Sequence, residues 1–198
     1  MYLKDKESPK MVANKAINGT LGILETCLKT KTVRQVVYTS SAFAIFASNK
    51  RNEVKMMGES FWSNVDFIRQ FIPFGGSYLI PKTLTKRATL EFAVVNGLDL
   101  VTLIPSFVVG HFLCPKLPEF VSRALALVFG MKSEAYIYLS NALMVHVDDV
   151  AMVQIFLLEQ LDATVFGRHI CSSHTITLIE LSQNFFARCL EFIIPSPD

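Results

Sequence analysis

Residues 77–110 read SYLIPKTLTKRATLEFAVVNGLDLVTLIPSFVVG, and this stretch decides the fold class. Residues 77–96 carry the periodicity of a long amphipathic helix, and Asn96-Gly97 is a pair that commonly closes one. Residues 98–104 (LDLVTLI) form a short aliphatic run, ended by Pro105, which has no N–H for a sheet ladder. A helix feeding directly into a strand of buried character is the repeating unit of a parallel α/β sheet.

The same alternation extends both ways. Ser8-Pro9 is a helix start, a hydroxyl cap followed by proline at the first helical position, and apolar residues then recur at helical spacing as far as Lys29. Residues 32–39 (TVRQVVYT) read as a buried strand. A polar, irregular stretch covers residues 48–76, with a short helix near 62–69. Residues 118–131, 149–161 and 178–193 read as helices and 168–172 as a strand. The expected class is therefore α/β, a parallel sheet flanked by helices.

Composition supports this and narrows the function. The chain has 198 residues, 51% hydrophobic and only 18% charged, as expected for strands buried on both faces. No apolar run approaches the ~18 residues needed to span a bilayer, so no membrane association is expected. A formal net charge of +2 gives no footprint for nucleic acid. The basic clusters Lys4–Lys6–Lys10 and Lys82–Lys86–Arg87 read as solvated faces. The N-terminus lacks the apolar core of a secretory signal, and Cys27, Cys114, Cys171 and Cys189 have no CxxC spacing. Reduced, mostly buried thiols and a cytoplasmic location are the expectation. His111, His169 and His174 show no metal-ligand spacing, so no metal is expected. His146 reads as a packing residue beside an apolar strand, and Asp148 or Asp149 as the cap of the following helix.

The chemistry lies in Tyr78 and Lys82, four residues apart and so on one helix face. A phenol titrates near pH 10 in water, and a neighbouring ammonium favours its ionised form, which fits it for proton transfer near neutrality. Upstream, the strand VVYT runs into Ser40-Ser41, hydroxyls at the carboxyl end of a parallel strand, where α/β sheets bind ligands. Downstream, the next strand ends in Pro105-Ser106-Phe107-Val108-Val109-Gly110. Phe43, Phe46, Phe71 and Phe74 are candidates for an aromatic substrate pocket, with core packing as the default.

These segments, with ESFWSNVDFIR, CPKLP and MVHVDDVA, make the chain resemble the extended short-chain dehydrogenase/reductase family, and most of all its plant vestitone reductase and dihydroflavonol reductase group. The resemblance runs from about Val12 into the helix after Leu178. It implies an NAD(P)H-dependent oxidoreductase acting on a CH–OH or ketone group, with a small aromatic, flavonoid-like ketone or alcohol as substrate. Tyr78 would be the proton donor, Lys82 would lower its pKa and hydrogen-bond the nicotinamide ribose, and Ser41 would hold the carbonyl oxygen, with Ser40 as second candidate. Thr39, Ser40, Tyr78, Lys82, Pro105, Ser106, Phe107 and Val108 would line the cofactor, NADPH rather than NADH. A nucleotide-sugar epimerase/dehydratase or a cinnamoyl-CoA-type reductase shares the same Ser, Tyr and Lys.

Three departures accompany the resemblance. None of the nine glycines forms the glycine-rich turn that cradles a dinucleotide pyrophosphate. Pro81 stands where the family usually has a small residue, and Phe46 stands near the position of a substrate-binding asparagine in dihydroflavonol reductases. The expectation is an incomplete Rossmann-type domain over residues 1–110 and a partial substrate-binding region over 111–198 with a helix returning to the first. The alternative is a truncated, inactive family member.

Overall fold

The computed structural model describes residues 8–49, 57–72, 76–131, 139, 141–160 and 167–193. They divide into two units, one built from Tyr2–Pro105 and Val153–Ile170, the other from Ser106–Met152 and Cys171–Asp198.

In the first unit, α1 (Pro9–Thr30) starts as the sequence suggests: Ser8 Oγ accepts the Met11 N–H at 3.3 Å, and the helix ends on Lys31 in the left-handed region. Strands β1 (Val36–Thr39) and β2 (Leu100–Pro105) pair in parallel, Val36 opposite Leu100 and Thr39 opposite Leu103. All six residues of β2 are buried, the mark of a central parallel strand. Its other edge takes β5 (Gly167–Cys171). The β1 expectation over residues 32–39 was too long, because pairing begins at Val36; Val33 lies outside the ladder and is exposed.

The long helix α4 (Gly76–Asn96) follows α2 (Phe43–Phe46) and α3 (Val65–Phe71). Leu24 of α1 and Ala93 of α4 meet Leu98 and Leu100 in one cluster, which Val36 and Tyr38 of β1 complete. A second cluster joins Ala47 and Phe43 to Ile68 of α3 and to Leu79 and Ile80 of α4. Ser63, fully buried, ties the loop before α3 to α2: its hydroxyl donates to the Phe43 carbonyl at 2.7 Å and accepts the Ala47 N–H at 3.0 Å. Asn64 caps α3 with bonds from the Asp66 and Phe67 N–H groups. Neither α2 nor these loop bonds have a periodic signature, which is why residues 48–76 read as irregular.

In the second unit, β3 (Phe107–Val109) runs parallel to β4 (Asn141–His146), and β4 pairs antiparallel with β6 (His174–Thr177). Phe107, Leu127, Leu139, Met144 and Leu181 form the core here, under α5 (Glu119–Ala124) and α7 (Leu178–Arg188). α5 is shorter than residues 118–131 suggest: after Ala124 the chain turns with i→i+3 bonds, such as Ala126 N–H to the Arg123 carbonyl at 3.1 Å. α7 stops at Arg188, since Leu190 and Ile193 are exposed and offer no face to bury. A capping box between Thr177 and Glu180 opens it. The remaining helix, α6 (Val147–Glu159), has Asp148 and Asp149 in its first turn rather than at its cap.

Gly110 sits at φ +127°, where an added Cβ would fall 2.6 Å from His146 Nε2 and 3.0 Å from Val147 Cγ1. Gly110→Ala therefore meets both backbone strain and a clash. We expect a loss of roughly 1–3 kcal/mol, read as a lowered melting temperature. An unchanged melting curve would show that β3 does not end as described.

Candidate active site

The parallel pairing of β1 and β2 continues past the strands: Ser40 N–H donates to the Leu103 carbonyl at 2.8 Å, and Ala42 N–H to the Pro105 carbonyl at 2.9 Å. These two bonds hold Ser40-Ser41 against Pro105 at the carboxyl edge of the sheet. Both serines are buried. Ser41 Oγ accepts the Phe43 N–H at 3.4 Å, a long bond, and no acceptor for its own proton is found among the described residues. Ser40 Oγ is buried with no hydrogen-bond partner among the described residues. Thr39 Oγ1 is already engaged, accepting from Gln154 Nε2 at 2.8 Å.

Tyr78 lies in the first turns of α4, about two-fifths exposed, with the Phe43 ring edge-on to it at 6.0 Å between centroids. One turn on, Lys82 Nζ lies over the Tyr78 ring, 5.9 Å from its centroid. The spacing expectation for this pair therefore holds as geometry. Burial pushes the Lys82 amine below its ordinary pKa. Phe43 links the two halves of the group, its N–H on Ser41 and its ring on Tyr78. Burial raises the pKa of Tyr38 of β1, and the nearby Tyr78 charge adds to the rise.

Pro81 is the sixth residue of α4, not at the edge of its first turn. It leaves the Ser77 carbonyl without the usual helical N–H, yet the helix continues, and Thr83 Oγ1 donates back to the Leu79 carbonyl at 2.8 Å. Of the other candidate residues, Ser106, Phe107 and Val108 belong to the second unit, where the Ser106 N–H bonds the Cys171 carbonyl and Phe107 packs in the core against Phe120. Phe46 packs with Ala42, Ile45 and Ile104, Phe71 is mostly exposed, and Phe74 lies outside the described residues, as do Lys4 and Lys6.

One expectation is overturned. Lys86 is not on a solvated face: it is fully buried, its Nζ has no hydrogen-bond partner among the described residues, and it lies 4.7 Å from the centre of the Trp62 ring. The Arg168 guanidinium lies over the same ring at 4.5 Å and that of Arg87 at 5.4 Å. Burial first, and the Arg168 charge second, lower the Lys86 pKa to about 7. Lysine four residues after Lys82 is the same helical face that carries the buried Leu79 and Thr83, and that register was the available signal. The cysteines depart from the expectation of mostly buried thiols: all four are free, but only Cys171 is buried, Cys27 and Cys189 being half-buried and Cys114 exposed.

Residues 2–171 match the NAD dependent epimerase/dehydratase family. The chain belongs to that family. Its relatives include vestitone reductase of Medicago sativa, 43% identical over 97% of this chain and 57% of the relative. Noscapine synthase of Papaver somniferum is 41% identical over 99% and 57%, and dihydroflavonol 4-reductase of Arabidopsis thaliana 36% identical over 99% and 50%. The chain thus spans about half the length of the curated relatives it matches. The crystal structure of alfalfa vestitone reductase superposes with a TM-score of 0.81 at 42% identity, covering 93% of this chain and 58% of that one. The architecture is accordingly the Rossmann-type α/β fold of this epimerase/dehydratase family. No helix among the described residues is long and apolar enough to cross a membrane.

Proposed function

We propose that this chain is the proton-donating segment of an NADPH-dependent carbonyl reductase whose substrate is an aromatic, flavonoid- or isoflavonoid-like ketone. The observation that carries this reading is the Ser41–Phe43–Tyr78–Lys82 group at the carboxyl edge of β1 and β2. The residues present fit the nicotinamide end of such a cofactor: an orphaned buried hydroxyl on Ser40, a desolvated Lys82 amine, and Pro105 closing β2 beside them. The bound cofactor supplies the hydride in this chemistry.

The chain's own residues do the rest. Ser41 donates a hydrogen bond to the carbonyl oxygen and places it near Tyr78. Tyr78 gives its phenolic proton to the oxygen as negative charge develops there. Lys82, charged and close, favours the tyrosinate left behind and orients the ribose hydroxyls. Residues 1–110 serve as part of the cofactor domain and 111–198 as part of the substrate region, with a helix of the latter returning to the former. The activities named for the vestitone reductase and dihydroflavonol 4-reductase relatives support the substrate class.

A chimera tests the proposal: this chain joined to the part of alfalfa vestitone reductase that lies outside the aligned segment. Consumption of NADPH with an isoflavanone-type or dihydroflavonol-type ketone is expected. Turnover of a nucleotide sugar and of no ketone would overturn the substrate class, and no turnover of either would overturn the reductase reading.

The 198 residues contain no glycine-rich turn of the kind that cradles a dinucleotide pyrophosphate. Without those backbone N–H groups the pyrophosphate has no helix N-terminus to face. By itself the chain is therefore expected to show no saturable NADPH fluorescence below millimolar cofactor. Micromolar saturation would mean that the residues present hold the cofactor without such a turn.

A further inference from the structure

His111, His146 and Asp148 come together in the second unit, although 35 residues separate the two histidines in sequence. The fold explains the meeting. β3 and β4 are parallel, with Val109 opposite His146, so both strands end side by side. Gly110 then turns with a positive φ and, lacking a Cβ, lets the backbone pass against the His146 ring. That turn brings the His111 ring to within 5.7 Å of the His146 ring, centroid to centroid. Asp148, in the first turn of α6, reaches both: Oδ1 is 3.4 Å from His111 Nε2, and Oδ2 is 3.5 Å from His146 Nδ1. One ligand atom from each residue lies within 4.8 Å of the others.

We propose that His111, His146 and Asp148 bind a divalent cation of the zinc class. Zinc takes imidazole nitrogen and carboxylate oxygen at about 2.0–2.2 Å, so neighbouring ligand atoms of a tetrahedral site stand roughly 3.3–3.6 Å apart. The two nitrogen–oxygen separations fall in that interval, each to a different oxygen of Asp148. Closing the site needs only side-chain rotation about exposed residues, and the ion displaces one long bond, from the Asp148 N–H to His146 Nδ1 at 3.3 Å. Two imidazoles and one carboxylate select zinc, cobalt, nickel or copper over magnesium and calcium, which prefer oxygen cages. Three protein ligands leave the fourth position to water or an external ligand. The exposure of all three side chains gives the ion a direct route from solvent.

The alternative is a pair of surface histidine–aspartate contacts that hold no ion, and titration separates the two. Calorimetry of the full 198-residue chain with zinc chloride near neutral pH is expected to show one saturable site. His111→Asn and Asp148→Asn are each expected to weaken it tenfold or more, with melting curves in the absence of metal close to those of the parent. His174→Asn, on β6 opposite Met144 and outside the three-residue group, is expected to leave it unchanged. Cobalt should bind the parent with the intense visible bands of a tetrahedral site. No zinc uptake, or uptake that His111→Asn and Asp148→Asn leave unaltered, would overturn the site.

Discussion

Tyr78→Phe in the chimera described above is expected to lower kcat/KM for ketone reduction by about a hundredfold or more, the scale of a lost general acid. The substitution removes one oxygen from a side chain that is already part exposed and leaves its ring free to keep the edge contact with Phe43. Folding should therefore be preserved, and the loss should fall on kcat rather than on the cofactor's apparent affinity. Lys82→Met is expected to act through the same step: with no ammonium over the ring, the phenol becomes a weaker acid. Its residual activity should shift to higher pH, a change that a merely structural lysine would not produce. Steady-state kinetics from pH 6 to pH 9 read both effects, and an unchanged turnover for Tyr78→Phe would remove the tyrosine from the mechanism.

Lys86→Met is expected to stabilise the protein at pH 6 by about 1–4 kcal/mol, the range found when buried charges give way to well-packed apolar groups. The ammonium has no partner but the Trp62 face and is crowded by Arg168. Burial lowers its pKa from the ordinary 10.5 to about 7 in the folded chain. Between those two values the unfolded chain carries a proton that the folded chain does not, so stability rises with pH across that interval. The limiting slope is about 1.4 kcal/mol per pH unit. Below pH 7 both states are charged, and the folded state bears the whole desolvation cost. Urea unfolding at pH 6, 7 and 9 should show the parent gaining stability with pH, and Lys86→Met should lose most of that slope. A variant less stable than the parent at pH 6, with the slope intact, would mean that the Trp62 face holds the charged amine favourably.

Much of the first unit was legible without coordinates because its determinants are local. Ser8-Pro9 sets the start of α1 and Asn96-Gly97 the end of α4, since capping and left-handed turns depend on a few adjacent residues. The largely aliphatic run of β2, interrupted only by Thr102, announces a strand covered on both faces. The Tyr78–Lys82 pair follows from helical spacing alone, and the structure shows the two side chains stacked as that spacing requires.

What only the tertiary structure decided is everything carried by distant partners. β3, β4 and β6 are short, and a three-residue strand such as Phe107–Val109 exists because Met144 to His146 lies beside it, not because of its own composition. Whether Lys86 meets water or the Trp62 ring depends on a loop more than twenty residues upstream and on Arg168 of β5. The joining of His111 to His146 and Asp148 depends on strand register and on a glycine turn. Capping and periodicity operate within about one helical turn, so sequence displays them. Charge burial and ligand clustering arise only when separate segments close on one another, and no local pattern records which segments those will be.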